Sequence, residues 1–238
     1  MPVPAAPEVA ATPPVGNLAT VLRDPRFWRI ALLDLFCVGT LLAVQALWAG
    51  AYLADVHGLP PVQVGDLVLV MALGVAAGNL ASGALADRYG RRRVVLAFGS
   101  GFVACHLALA FAGPGTPVAA LTALYLAFGV LASFGVVLFA DVRAVFPAHL
   151  AARALTAVNL AGIGGAMLVQ WGMGVIIELG RDATGAYGIG AYRPAFLVTA
   201  VVGVVAVGVY GVGAPGGRGP YRATSVGIAR HRRHVSDP

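Results

Sequence analysis

Long apolar runs alternate with short charged segments along most of the chain. A helix needs about 20 apolar residues to cross the hydrocarbon core of a bilayer, and several runs reach that length. The run 94–140 is uncharged but too long for one helix, and residues 113–117 divide it because their glycines and prolines end helices. Six membrane spans are therefore predicted: residues 30–53, 67–86, the two parts of 94–140, 154–177 and 195–212.

Composition supports a membrane protein and argues against a soluble one. The chain has 238 residues, of which 59% are hydrophobic and 11% are charged, whereas soluble domains carry about 25% charged residues. So few polar side chains cannot cover the surface of a water-soluble domain of this size. We expect an all-α polytopic membrane protein.

The N-terminal segment differs from the predicted spans. Residues 1–22 contain five prolines and lack both the basic start and the apolar core of a signal peptide. Because proline breaks helices, we expect a disordered cytoplasmic tail over residues 1–26. A six-helix domain would then occupy residues 27–213, and a basic cytoplasmic tail residues 214–238.

The arginines predict the orientation of the chain, since all 16 residues of the Lys+Arg total are arginine. With the N-terminus in the cytoplasm, the cytoplasmic segments hold fourteen of them and the opposite side holds only Arg181 and Arg193. Cytoplasmic loops carry such an excess, so both termini are predicted to be cytoplasmic. The basic C-terminal tail is expected to lie against anionic headgroups. Nucleic acid is not an expected partner, because the arginines lie between apolar spans rather than on one face of a soluble domain.

The loop between the second and third predicted spans resembles a family signature. Residues 83–92 read GALADRYGRR, which resembles the G-x-L-a-D-R-x-G-R-R loop of the major facilitator superfamily. In that family the loop joins the second and third helices of a six-helix half. Residues 45–56, QALWAGAYLADV, are similar to the seventh helix of bacterial members, and residues 146–172 to the loop and eleventh helix. Ala152 and Leu155 depart from the glycine and asparagine common in those members.

The resemblance implies the C-terminal half of a twelve-helix transporter, built from two inverted three-helix repeats. It implies a secondary active transporter in the bacterial inner membrane, surrounded by lipid, that moves a small organic solute by alternating access. A second six-helix half, from a homodimer or a partner chain, is expected to complete the pathway. The alternative is a truncated, transport-inactive fragment. The sequence does not decide between them, nor does it give the substrate, the direction or the coupling ion.

The resemblance also assigns a conformational role to the signature loop. It implies that Asp87 faces the amino end of a helix of the other half when the transporter is open outward, where a carboxylate is stabilised. Arg91 is expected to pair either with Asp87 or with Asp141. Glycine favours close approach and tight turns, which is the role expected of Gly83 and Gly90. The predicted switch residues are Gly83, Asp87, Arg88, Gly90, Arg91, Arg92 and Asp141.

Polar residues inside the predicted spans are candidates for lining the substrate path, since such side chains tend to face the interior of a bundle. Gln45, Trp48 and Tyr52 recur at helical spacing, although Tyr52 also fits the aromatic belt at the membrane surface. Asn159 and Gln170 lie about three turns apart on one face. Hydrogen bonds between helices would explain that second pair equally well.

Two titratable residues are candidates for proton coupling, because an ionisable group inside a membrane is a functional hypothesis by default. They are Asp34 and His106, although Asp34 is also within reach of Arg29. No cofactor or metal site is predicted, and His231 with His234 is too weak a pattern for one. No enzymatic activity is expected either: a rhomboid-type serine protease needs a G-x-S-G nucleophile and a histidine on its last span, and the chain has neither.

Overall fold

The computed structural model describes residues 17–212, and every regular element in that range is a helix. Six segments are long and apolar enough to cross a membrane, as the sequence predicts. Residues 113–117 lie between the third and the fourth, which confirms the division of the long apolar run. The predicted tails at residues 1–16 and 213–238 lie outside the described residues. The six spans, named one to six in chain order, are Pro25–His57, Pro61–Tyr89, Arg91–Phe111, Val118–Val145, Ala148–Leu179 and Ile189–Val212.

The start and end of span one follow from local capping. The Asp24 side chain accepts a hydrogen bond from the Arg26 amide, and Pro25 occupies the first turn, where its missing N–H costs nothing. The Arg26 guanidinium also bonds to the carboxylate at 2.7 Å and lowers the pKa of Asp24 below its ordinary value. The span ends at Gly58, whose φ of 63° is a left-handed conformation that glycine adopts without strain.

A short helix, Leu18–Leu22, precedes span one, where the sequence predicts a disordered tail. The Asn17 side chain caps this helix by accepting from the Ala19 amide at 3.0 Å. Val21 is fully buried, and the helix packs against span five. The prediction of disorder is therefore wrong for these residues, because one buried side chain and a cap hold them against the bundle.

Two of the spans are interrupted near their middle. Val44–Trp48 is a π-helical segment inside span one, and Ser133 with Phe134 separates the two helices of span four. Single-turn π-helical segments inside α-helices are frequent at functional sites. The helices on either side of the two interruptions are Pro25–Ala43, Ala49–His57, Val118–Ala132 and Gly135–Val145.

The contacts between spans have an internal symmetry. The most extensive ones join span one to span five, span two to span four, and span three to span six. This pairing is unchanged when spans one, two and three are exchanged for spans four, five and six. Each set crosses the membrane three times, so the second set starts on the opposite side and its spans run in the opposite direction to the equivalent spans of the first. The two sets are therefore the predicted inverted repeats. Spans one and four lie side by side, flanked by spans five and two, with spans three and six behind them.

Glycines bring the paired spans into backbone contact. A β-carbon on Gly129 of span four would overlap the Met71 carbonyl oxygen of span two, and one on Gly74 would lie 2.6 Å from the backbone of span four. Between spans one and five, a β-carbon on Gly39 would lie 2.7 Å from the Gly165 carbonyl carbon. Such small-residue contacts are a main source of helix association in membranes.

Gly129→Ala is expected to destabilise the bundle by about 1–3 kcal/mol or more, since the added methyl group forces spans two and four apart. The measurement is the unfolding transition of the purified chain in detergent. Gly164→Ala in span five is the matched control, because a β-carbon there meets nothing within 4 Å and alanine gains up to about 1 kcal/mol of helix propensity. Equal shifts for both variants would contradict the proposed contact.

Candidate functional site

The signature loop is a one-residue turn. Span two ends at Tyr89 and span three begins at Arg91, and Gly90 between them has a φ of 89°, which favours glycine. The Asp87 side chain is exposed and forms no ion pair with another described residue. A β-carbon on Gly83 would meet nothing within 4 Å, so close backbone approach at Gly83 is not used within this bundle.

Arg91 pairs with Asp141 rather than with Asp87. Its Nε lies 2.7 Å from Asp141 Oδ1, and the hydroxyl of Tyr210 donates to the other carboxylate oxygen. Arg92 donates to the carbonyl oxygen of Gly211. These contacts hold the starts of span three and the ends of spans four and six together, while Asp87 stays available to other groups.

The π-helical segment of span one carries Gln45 and Trp48. Both side chains are partly buried. The Trp48 ring lies against span five, 3.3 Å from where a β-carbon on Gly174 would stand, and 6.5 Å from the Tyr192 ring of span six. Its Nε1 is buried without an acceptor among the described residues, so an indole donor is available beside the interruption.

Tyr52 packs against the Tyr192 ring, as Trp48 does, but it is buried more deeply than Gln45 and Trp48. It is fully buried, and its hydroxyl donates to the carbonyl oxygens of Leu109 at 2.9 Å and Ala112 at 2.6 Å. Tyr52 therefore joins span one to the end of span three. Its side chain is inside the bundle, and not in an aromatic belt at the membrane surface or on a face that lines the substrate path. Helical spacing misplaces it because the wider π turn changes the register of the residues that follow.

On span five, Asn159 is exposed and Gln170 is partly buried. Neither side-chain amide has a hydrogen bond within the described part of the bundle, so the interhelical bonds offered as the alternative explanation are not formed there. The two residues border the side of span five that contacts span one, where Gly162 and Gly165 are buried. Their amides are free to bind another molecule.

One open cavity with three polar residues in its lining was not predicted from the sequence. It has a volume of about 300 Å³, lies between spans two and four, and is lined by Gln63, Asp66 and Thr122 together with apolar residues. It opens on the side of the bundle opposite the signature loop. The spacing of Gln63 and Asp66 by three residues, on one helix face, is the sequence signal that could have found it.

His106 is fully buried in span three among aromatic rings. Its Nδ1 lies 2.8 Å from the Phe102 carbonyl oxygen, and the rings of Phe36, Phe102 and Phe128 have centroids within 5.7 Å of the imidazole centroid. Because a carbonyl oxygen only accepts hydrogen bonds, Nδ1 carries the proton in this contact. In the neutral ring Nε2 is then an acceptor, and it has no partner among the described residues.

Asp34 is also fully buried, and both of its carboxylate oxygens lack a hydrogen-bond partner among the described residues. The suggested pairing with Arg29 is not present within 4.0 Å. Instead, Asp34 points between spans four and five. Oδ1 lies 3.7 Å from where a β-carbon on Gly135 would stand, and Oδ2 lies 2.6 Å from the corresponding position of Gly162.

Comparison of the sequence with protein-family models identifies the family of this chain. The model described as the Major Facilitator Superfamily matches residues 35–232, which is more than half of the chain. The chain belongs to the major facilitator superfamily. The interrupted spans, the inverted repeats and the one-residue signature turn are therefore features of a member of this superfamily of transporters.

A solved transporter of the superfamily has the same fold. The xylose transporter XylE from E. coli, in its inward-open conformation, matches with a TM-score of 0.62 and 19% sequence identity. The match covers 82% of this chain and 48% of the XylE chain, so the described bundle corresponds to about half of that transporter. No curated protein matches the chain by sequence.

The Arg91–Asp141 contact predicts a small coupling energy. Arg91→Gln and Asp141→Asn should be coupled by about 0.2–1 kcal/mol, because the Arg91 side chain is 46% exposed and exposed ion pairs are screened by water. A double-mutant cycle on detergent unfolding measures the coupling. Arg93→Gln replaces Arg91→Gln in the control cycle, because Arg93 is exposed and has no ion pair with Asp141. Coupling of the same size in both cycles would contradict the assignment.

Proposed function

We propose that the chain is one half of a secondary active transporter that moves a small organic solute by alternating access. A second six-helix half, another copy of this chain or a partner chain, completes the pathway. The observation that carries this proposal is the six-helix bundle of a transporter superfamily that corresponds to about half of a solved member. Substrate sites of such transporters lie at the interface between two halves.

The surface that would meet the second half is apolar and uncovered. Leu73 on span two is 58% exposed, and Met167 and Trp171 on span five are 71% and 73% exposed. These residues belong to continuous faces that flank spans one and four, the two interrupted spans. The placement supports a pathway with the interrupted spans at its centre and spans two and five as its contacts with the other half.

Residues on spans one and five are the proposed solute contacts. Gln45 and Trp48 supply an amide and an indole donor beside the π-helical segment, and Asn159 and Gln170 supply amides from the neighbouring span. Amides and an indole suit an organic solute with hydroxyl or carbonyl groups. Asp34 and His106 are the proposed proton-coupling groups, because both are fully buried in their spans and each has a polar atom without a hydrogen-bond partner in the described bundle.

The location proposed for the chain is the bacterial inner membrane, with both termini in the cytoplasm. Among the described residues, the arginines of the signature loop, Arg143 and Arg153 lie at the ends of spans that share one side of the bundle. Arg181 and Arg193 lie on the other side. This excess supports a cytoplasmic location for the arginine-rich side, because cytoplasmic loops are enriched in arginine and lysine.

The self-dimer form of the proposal predicts cross-links between chains. In a background without native cysteines, chains carrying Leu73→Cys should cross-link to chains carrying Met167→Cys in liposomes. Val201→Cys on span six, which is 63% exposed, should not cross-link to Leu73→Cys, because spans three and six lie behind the pathway. Single-molecule photobleaching should count two chains per particle. Single chains without cross-links would contradict the dimer. The remaining alternatives would then be that a different chain supplies the second half or that this chain is a transport-inactive fragment.

The switch role of Asp87 predicts a change in accessibility. In the dimer, Asp87 of one copy would face the amino end of a helix of the other, and a carboxylate there gains up to about 2 kcal/mol, about 30-fold in an equilibrium. Asp87→Asn should therefore raise the alkylation rate of Ala148→Cys, at the start of span five, by up to that factor. Asp66→Asn, on the opposite side, is the control and should leave the rate unchanged.

A further inference from the structure

The interruption of span four exposes backbone groups that span one covers. The first helix of span four ends at Ala132 and the second begins at Gly135. Cys37 of span one lies across this gap. Its thiol donates to the Ala132 carbonyl oxygen at 2.9 Å, and its sulfur lies 3.8 Å from where a β-carbon on Gly135 would stand. Cys37, which is fully buried, thus bridges the end of one helix and the start of the next.

Asp34 lies one turn before Cys37 and faces the same gap. Its Oδ1 is 3.7 Å from the β-carbon position of Gly135, at the amino end of the helix Gly135–Val145, and its Oδ2 is in contact with Gly162 of span five. The amino end of a helix carries a partial positive charge. An unpartnered, fully buried carboxyl group is therefore held at the amino end of an eleven-residue helix.

The charged groups around Asp34 give it no counter-ion. Of the groups that face it, Cys37 on its own span titrates, whereas spans four and five present Gly135 and Gly162. Arg29 on span one forms no ion pair with it, and Asp141 farther along span four is paired with Arg91. On span five, Arg153 lies more than two turns before Gly162.

A carboxylate without a partner in an apolar interior is strongly disfavoured, whereas a neutral carboxyl group is tolerated. We propose that Asp34 is a proton-binding site that controls the packing of span one against the interruption of span four and against span five. With the proton bound, the three spans pack as described. When the proton passes to water, the carboxylate draws water to the amino end of Gly135–Val145, and span five separates from span one at Gly162.

This inference deepens the proposed transport function by naming the group that binds the proton and the contact it controls. The site itself rests only on the six-helix bundle. A test that reads the packing around Asp34, with no solute and no second half, therefore separates the two ideas. Cys37 supplies the reporter, because the chain has 2 cysteines and Cys105→Ser removes the other one.

The experiment measures the alkylation rate of Cys37 by a small maleimide in the Cys105→Ser chain in liposomes, from mildly acidic to mildly alkaline pH. The same series on Asp34→Asn gives the pH dependence of the thiol itself, because the amide keeps the shape of the carboxyl group and does not ionise. The ratio of the two rates is expected to rise about tenfold with pH, as water enters beside the carboxylate. A ratio that stays constant would overturn the proposal.

A second measurement does not depend on the folding of the Asp34→Asn variant. Infrared spectra of the Cys105→Ser chain should show the carbonyl stretch of a buried protonated carboxyl group, which disappears over the same pH range in which Cys37 becomes reactive. If the band is absent at acidic pH, or disappears in a different pH range, the proposal is wrong. Loss of transport activity with both results intact would contradict the proposed function alone.

Discussion

The need to satisfy every backbone polar group inside a membrane constrains the rest of this structure. An uninterrupted helix meets that need by itself, and an interrupted one meets it only if neighbouring spans supply partners. Span four is interrupted at Ser133 and Phe134, and the Cys37 thiol donates to the carbonyl oxygen of Ala132 just before them. The Ser133 hydroxyl donates to carbonyl oxygens of Val75 and Gly129, so span two secures the same point. The interruption is thus held from both neighbouring spans.

Close packing around that point depends on residues without side chains. The glycines between spans two and four let the two backbones approach closely, and the Ser133 hydroxyl reaches Val75 across this contact. The glycines between spans one and five bring those two backbones together in the same way. The inverted repeat places these two pairs in equivalent positions, so one packing solution is used twice. The same arrangement leaves spans two and five with one face buried and the other uncovered, which is the shape of a half molecule.

Charge is confined to the ends of the spans, with the exception of Asp34. On the arginine-rich side, Asp141 accepts hydrogen bonds from Arg91 and Tyr210 and so joins spans three, four and six. Asp87, which lies in the signature loop with Arg91, has no partner in the described bundle. The two aspartates of this side therefore differ in environment: Asp141 is bonded within the described bundle, and Asp87 is exposed without an ion pair there. Asp34 differs from both, because it is fully buried and its carboxylate oxygens have no partner among the described residues.

The number of spans, their approximate bounds and the family all follow from local features. Hydropathy reports the free energy of moving each segment into lipid, turn residues mark where helices end, and the signature loop is contiguous. Partners could not be predicted in this way. That Arg91 bonds to Asp141, that Tyr52 is buried against span three, and that Asp34 lacks the Arg29 partner are outcomes of contacts between residues far apart in sequence. The interruption at Ser133 shows the limit most clearly. The sequence 118–140 reads as one continuous apolar run, and the hydrogen bonds that support a break inside it join span four to spans one and two.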